Sequence, residues 1–432
     1  MKNFFKNKRV LRDCKIYQML SAHARGRHFS FHTPGHKVGT WDITELSYSD
    51  NLACPRGCIA EAEKDIADIL GSKKSYILTD GSTSGILSML YAAKLSGVKT
   101  VAVCEGTHKS VFNGCAAFGL VPLVYPQKTE NKIPFPHTVY EMKLSFTEIL
   151  NGADALLITS PNYYGKVADL KTLRAYCDET GKVLLVDGAH GGHLHYDKEL
   201  YTGSCADLWV DGVHKSLPAL TQGALVSART EQWAEKLGQA VDVFRTTSPS
   251  YPIMASVEYS VKYPRNTELE NRVKGWAAHE PRIKIGEDWT KVCALFGKSA
   301  FQAEKDSEEA GLYPEFCDGT IVMFYLSPAT TKKEFLRLVK WVSGLFEKYP
   351  YTEEKSAQCI HTPLVLDKNT EKEWVSIEKS AGKICAGACG LFPPCTPLFS
   401  VGERIMEEKI TLLKNANNVF GIKDGKILVV KE

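Results

Sequence analysis

From about residue 59 to residue 226 the chain alternates two kinds of apolar spacing. Residues 61–70 carry Ala62, Ile66, Ile69 and Leu70 at helical intervals, and Gly71 ends the run. Four short, continuous apolar runs read as buried strands: 99–104, 155–160, 182–187 and 208–211. Helical segments at 84–95 and 170–180 fall between them. Short buried strands separated by helices predict a mostly parallel sheet with helices on both faces. Such sheets bind ligands beyond the carboxyl ends of their strands.

After Tyr251 the pattern changes. A charged helix is expected at 266–279, a strand at 319–326 and a helix at 331–348, which together suggest a smaller α+β domain. The Pro-rich stretch 391–398 cannot continue a helix and is expected to form an ordered loop. Residues 417–431 read as a hairpin turning at Lys423-Asp424-Gly425. The expected division is an N-terminal segment at 1–40, a large domain at 41–262 and a small C-terminal domain at 263–432.

Composition changes this picture little. A chain of 432 residues with 44% hydrophobic and 24% charged residues is ordinary for a folded protein of two or three subdomains. A net charge of +3 over this length gives no reason to expect a nucleic-acid partner. The basic start at 2–12 lacks a following long apolar stretch, so no secretory signal is expected, and no apolar run is long enough to suggest a membrane partner. Thirteen scattered cysteines without a Cys-x-x-Cys pair fit reduced thiols in a cytoplasm.

The ends of two predicted strands carry the chemistry. One run finishes at Asp187 and the next leads into His214-Lys215. A lysine amine that condenses with an aldehyde, paired with a carboxylate that keeps a pyridine nitrogen protonated, is what pyridoxal phosphate requires. Upstream, Asp80-Gly81-Ser82-Thr83-Ser84-Gly85 follows an apolar run and opens a helix. Its small residues, hydroxyls and helix N-terminus suit a phosphate, although alone they would read as a helix cap. Thr107-His108-Lys109-Ser110 places an aromatic ring after another strand, where it can stack on a cofactor. His190, His193 and His195 have the composition of a metal-binding run, but the nearby Asp187 suits cofactor binding better and no metal is expected.

Taken together, these segments resemble the Orn/Lys/Arg decarboxylase family, within the fold-type I (aspartate aminotransferase-like) group of pyridoxal phosphate enzymes. The matching runs include Phe31-His32-Thr33-Pro34-Gly35-His36-Lys37, Asp80 to Gly85, His108-Lys109-Ser110-Val111 and Ser160-Pro161-Asn162-Tyr163-Tyr164-Gly165. They continue with Asp187 to His190, His214 to Gln222, Thr246 to Pro252, and Pro393-Pro394 through Gly402-Glu403. The resemblance implies an α/β large domain of fold type I with a mostly parallel sheet, and an α+β small domain. It resembles the compact class, without the N-terminal wing domain of the large bacterial members.

The resemblance also implies roles. Lys215 would hold the cofactor covalently, Asp187 would pair with the ring nitrogen, and His108 would stack on the ring. Ala189 would pack on the other ring face, with His190 near the phenolic oxygen. Ser82, Thr83, Ser84 and His214 would hold the phosphate. Thr247 and Ser248 would reach the neighbouring subunit's cofactor, which implies a homodimer with shared sites. Glu403 is the candidate for a substrate's distal cation. The expected reaction is decarboxylation of a basic L-amino acid (arginine, lysine or ornithine). An aminotransferase or lyase on the same fold is the alternative, with Arg337 or Arg404 as carboxylate binders; a non-catalytic pyridoxal phosphate protein is the third reading. Two departures stand out: Gly188 where the family commonly has Glu, and Gly212-Val213 where it commonly has Ser-Thr.

Overall fold

The structure is a computed structural model that describes residues 5–37, 40–130, 133–351, 370–392, 397–416 and 418–431. Its centre is a seven-stranded sheet: β1 (Lys74–Leu78), β2 (Thr100–Cys104), β3 (Val121–Tyr125), β4 (Ala155–Thr159), β5 (Val183–Gly188), β6 (Leu208–Asp211) and β7 (Ala224–Ala228). The spatial order is β1-β7-β6-β5-β4-β2-β3. The pairs from β6 through β3 are parallel, and β7 runs antiparallel to both β6 and β1. The parallel strand ends therefore gather on one edge, where Asp187 and the turn to Lys215 lie side by side.

Alternation along the strands assigns the two faces. Leu184, Val186 and Trp209 join one core with the helices Lys15–His23, Cys58–Leu70, Leu170–Thr180 and Tyr251–Val261. Leu185 and Val210 join another with Ser82–Leu95, Lys109–Phe118 and Glu231–Phe244. Both faces are thus covered, as parallel sheets require. Asp187 follows Leu185's parity and projects to the second face; Gly188 and Asp211 belong to the first.

The four predicted strands and the helices at 61–70, 84–95 and 170–180 are present within a few residues of the expected limits. The helix Cys58–Leu70 stops at Gly71, whose φ of +69° suits the left-handed cap. The remaining central strands, β3 and β7, have weaker patterns: Pro122 interrupts β3, whose first residue is exposed. After Lys262 an antiparallel sheet forms from β8 (Ile283–Lys284), β9 (Lys291–Leu295), β10 (Phe316–Cys317) and β11 (Ile321–Tyr325), in the order β8-β9-β11-β10. The expected helices here are Thr267–His279 and Lys332–Lys348, capped by Asn266 and Thr331. The terminal hairpin turns at Asp424 and Gly425, both with positive φ. The stretch expected to loop at 391–398 is bounded by short strands Cys389–Leu391 and Pro397–Phe399, because their edges pair; residues 393–396 lie outside the described set. Asn417 also lies outside it.

Candidate active site

Lys215 sits in the single helical turn Val213–Ser216 that follows β6. Its Nζ is 3.2 Å from Nε2 of His190, two residues beyond the end of β5. Adjacent parallel strands thus deliver the lysine and the histidine to one point. Asp187 is 3% exposed, and one of its oxygens accepts the Ala189 N–H at 3.1 Å. That bond folds the chain back after β5 and fixes the carboxylate. Ala189 itself is buried.

His108 caps the helix Lys109–Phe118: its Nδ1 accepts the Ser110 N–H at 3.2 Å. The proton of the neutral ring therefore belongs on Nε2. Burial lowers the His108 pKa to about 4, with Asp187 opposing and Lys215 reinforcing, so at neutral pH it presents an uncharged ring. His190 is pushed well below the usual histidine range by burial, and then by Lys215 and Lys291. A neutral His190 can share one hydrogen bond with the Lys215 amine. It also packs edge-on against Tyr163, ring centroids 4.8 Å apart.

The segment expected to hold a phosphate opens the helix Ser82–Leu95. The helix Ser82–Leu95 has no side-chain cap, so its first N–H groups remain available to an anion. Gly81, with φ +86°, donates its N–H to Gln222, and the next residue, Gly223, accepts from His214 Nδ1 at 2.9 Å. That contact engages His214 Nδ1 and leaves Nε2 as the ring's other nitrogen. Ser82 is half-buried and Thr83 exposed, while the Ser84 hydroxyl turns back to Asp80 and to the Gly81 carbonyl. These donors, the ring of His108 and the carboxylate of Asp187 suit a phosphorylated pyridine aldehyde.

Gly188 and Gly212 each stand where a Cβ would crowd neighbouring backbone. A Cβ on Gly212 would stand 2.4 Å from the Ala189 carbonyl oxygen. A Cβ on Gly188 would meet the Val210 carbonyl at 2.9 Å and Asp211 Oδ1 at 3.3 Å. Gly188 and Asp211 are register partners across β5 and β6. Asp211 thus brings a carboxylate to the side of the sheet where a residue 188 side chain would stand. It accepts from Tyr201 OH at 2.7 Å and from Trp209 Nε1 at 3.1 Å, while its other oxygen is buried with no hydrogen-bond partner. Burial raises its pKa to about 7.

Other expected residues lie apart from this cluster. Thr247 and Ser248 are exposed on the loop after the helix Glu231–Phe244. Glu403 is buried, but its carboxylate accepts the Ser400 N–H at 2.9 Å and pairs with Lys409 at 2.8 Å. Arg337 and Arg404 are exposed and donate to nearby carbonyls of Ala310 and Gly382. His193 and His195 diverge from His190, to Asp288 and to the Gly192 carbonyl.

The structure adds residues that sequence reading missed: Asp288, before β9, Lys291 on β9 and Tyr325 on β11. Lys291 donates to the His190 carbonyl at 2.7 Å, and Tyr325 OH lies 3.4 Å from the same oxygen. The available signal was a lysine heading the wholly apolar run Val292-Cys293-Ala294-Leu295, three residues after an aspartate.

Comparisons with known proteins agree with this geometry. The profile of the Orn/Lys/Arg decarboxylase major domain matches residues 14–285. The chain is 27% identical to an uncharacterized Bacillus subtilis protein, YaaO, over 96% of this chain and 98% of that one. It is 25% identical to a B. subtilis arginine decarboxylase, over 96% and 97% respectively. The solved constitutive lysine decarboxylase of Escherichia coli, 18% identical, superposes with a TM-score of 0.76 over 97% of this chain and 82% of that one, and shares its fold. The match over residues 14–285, more than half of the chain, leads to one assignment: the chain belongs to the Orn/Lys/Arg decarboxylase family of pyridoxal phosphate-dependent decarboxylases.

Proposed function

We propose that this enzyme decarboxylates a basic L-amino acid, with arginine, lysine and ornithine as the substrate class. The observation that carries the reading is the Lys215 amine held against a buried, neutral His190, within the electrostatic reach of Asp187 and His108. Bound pyridoxal phosphate would supply an electron sink for the bond to the departing carboxylate.

The protein's part follows from its residues. Asp187 would keep the ring nitrogen cationic, an interaction that strengthens as negative charge develops. His108 and Ala189 would hold the ring between them. Ser82, Thr83, His214 and the first N–H groups of the helix Ser82–Leu95 would anchor the phosphate. His190 can hold or pass a proton at Nε2, beside Lys215. Ser84 contributes through its backbone and through the turn its hydroxyl closes.

The substrate's distal cation calls for a carboxylate, and Glu403 is the proposed one. Its present partner is Lys409, which a substrate cation would displace or share. An aminotransferase would need an arginine for the α-carboxylate, and Arg337 and Arg404 are engaged elsewhere on the surface. Homodimer formation, with Thr247 and Ser248 serving the partner's site, and a cytoplasmic setting complete the proposal.

The deciding experiment incubates the protein and pyridoxal phosphate with carboxyl-labelled arginine, lysine and ornithine. Labelled carbon dioxide and the matching amine are expected from at least one. Amino transfer to a keto acid without labelled carbon dioxide overturns the reaction while leaving Lys215 in place.

A further inference from the structure

A buried ionic cluster stands against the proposed cofactor residues. Asp288 and Lys291 are fully buried, and His193 is 2% exposed. One oxygen of Asp288 accepts from His193 Nε2 at 2.8 Å, Thr290 N–H at 3.0 Å and Thr290 OH at 2.6 Å. The other pairs with the Lys291 ammonium. Lys291 also donates to the His190 carbonyl at 2.7 Å and lies 4.4 Å above the Tyr325 ring. At its other end, His190 meets Lys215. Two amines from different domains thus hold the two ends of one residue.

Burying an ion pair is costly, and this one is placed on a strand of hydrophobic neighbours where an apolar pair would serve stability as well. Its position suggests another use. A cation close to a second amine, in a medium of low dielectric, favours the second amine's neutral form. The ionisable groups around Lys215 are His190 and Asp187 from β5, His108 from the turn after β2, His214 from its own turn, and Lys291 from β9. Burial lowers all three of these histidines, leaving them uncharged at neutral pH. Asp288, paired with Lys291, is the opposing charge nearest that ammonium, and Asp187 is the other carboxylate of the group. Burial opposes ionisation of Asp288, yet His193 and Lys291 hold its carboxyl well below the usual range. Burial also draws Lys291 down from the ordinary lysine value, with Asp288 resisting.

We propose that Lys291 is a positioning residue for Lys215: its cation, fixed by Asp288 against the His190 carbonyl, favours the unprotonated Lys215 amine. That amine attacks the cofactor aldehyde; a C=N bond replaces C=O, and the oxygen leaves as water. The inference rests on Lys215 being the cofactor-binding lysine.

The test uses the full chain, freed of cofactor and remixed with pyridoxal phosphate across a pH series. Borohydride trapping and peptide mapping then measure how fast the Lys215 adduct forms. Lys291→Met and Lys291→Gln are expected to move the pH midpoint upward by about one unit, or about tenfold in rate near neutrality. Lys291→Arg should keep the wild-type midpoint. A merely structural role would lower the yield at every pH without moving the midpoint. Midpoints of the Met and Gln variants that overlay the wild type overturn the proposal, as does an Arg variant that shifts equally far. If the Met variant does not fold, the Gln and Arg pair decides. A wild type that forms no Lys215 adduct overturns the cofactor reading first, and this one with it.

Discussion

Asp211 is a carboxylate whose environment works against its charge. In the unfolded chain it would titrate near the ordinary aspartate value of about 3.9, whereas burial raises the folded value to about 7. The folded state therefore binds the proton more tightly between those values. The stabilisation is fully present below the unfolded pKa and is lost as pH rises through about 7. Asp211→Asn keeps an acceptor for Tyr201 and Trp209 and abolishes this titration. Melting temperatures from pH 4 to 8 should fall less steeply in the variant, by a few kcal/mol in stability terms; parallel curves would refute the assignment. Gly212→Ser tests the neighbouring departure. Its Cβ would collide with the Ala189 carbonyl, so a loss of about 1–3 kcal/mol is expected by denaturant titration. If Glu403 takes the distal cation as proposed, Glu403→Gln should raise KM for the basic amino acid with little effect on cofactor binding; an unchanged KM removes Glu403 from the substrate site. The sequence offered Lys215, Asp187, His108 and His190 as candidates because each stands at or just past the end of an apolar run that reads as a strand. It did not show Lys291, whose partner His190 is 101 residues away, nor that Ser84 would spend its hydroxyl on its own turn.

Among the elements, the helix Cys58–Leu70 is tied to the sheet by charge as well as packing. Glu63 is fully buried and accepts from Lys74 at 2.8 Å, Arg245 at 3.1 Å and the Ile77 N–H at 3.1 Å. Arg245 in turn donates to the Leu52 carbonyl at 2.6 Å. One carboxylate thereby joins the helix, β1 and the loop that presents Thr247 and Ser248. Glu63→Ala leaves Arg245 buried without its counter-ion, so a loss of about 3–5 kcal/mol is expected in chemical unfolding. Element boundaries were legible where apolar runs were uniform: β6 was read to the residue, and Leu170–Thr180 likewise. β7 escaped because its run, Ala224-Leu225-Val226-Ser227-Ala228, is short-chained and broken by Ser227. That serine is buried and bonds Ser75 of β1 at 2.7 Å, a contact across 152 residues that no local pattern records. The short strands near 389 and 397 were missed for the same reason, since only pairing defines them.

On the scale of the whole molecule, the dimer proposal concerns segments that are exposed in the single chain. Phe29 is 87% exposed and Phe31 95%, within the segment leading to Thr33-Pro34-Gly35-His36, and Thr247 and Ser248 stand in solvent. Mixing Lys215→Ala protein with a Thr247→Ala/Ser248→Ala variant and allowing subunits to exchange should restore about a quarter of wild-type activity if sites are shared between two chains. No recovery, or full activity in a sedimenting monomer, would refute sharing. The family profile ends at residue 285, and Asp288 lies just past it. A fragment cut at that limit would carry every residue of the cofactor set, yet it would lose the ammonium that binds the His190 carbonyl and the carboxylate that meets His193. Evolutionary transplantation of this matched segment onto another partner would thus have to bring β9 and the turn before it along, making the true unit of inheritance longer than the unit of recognisable sequence.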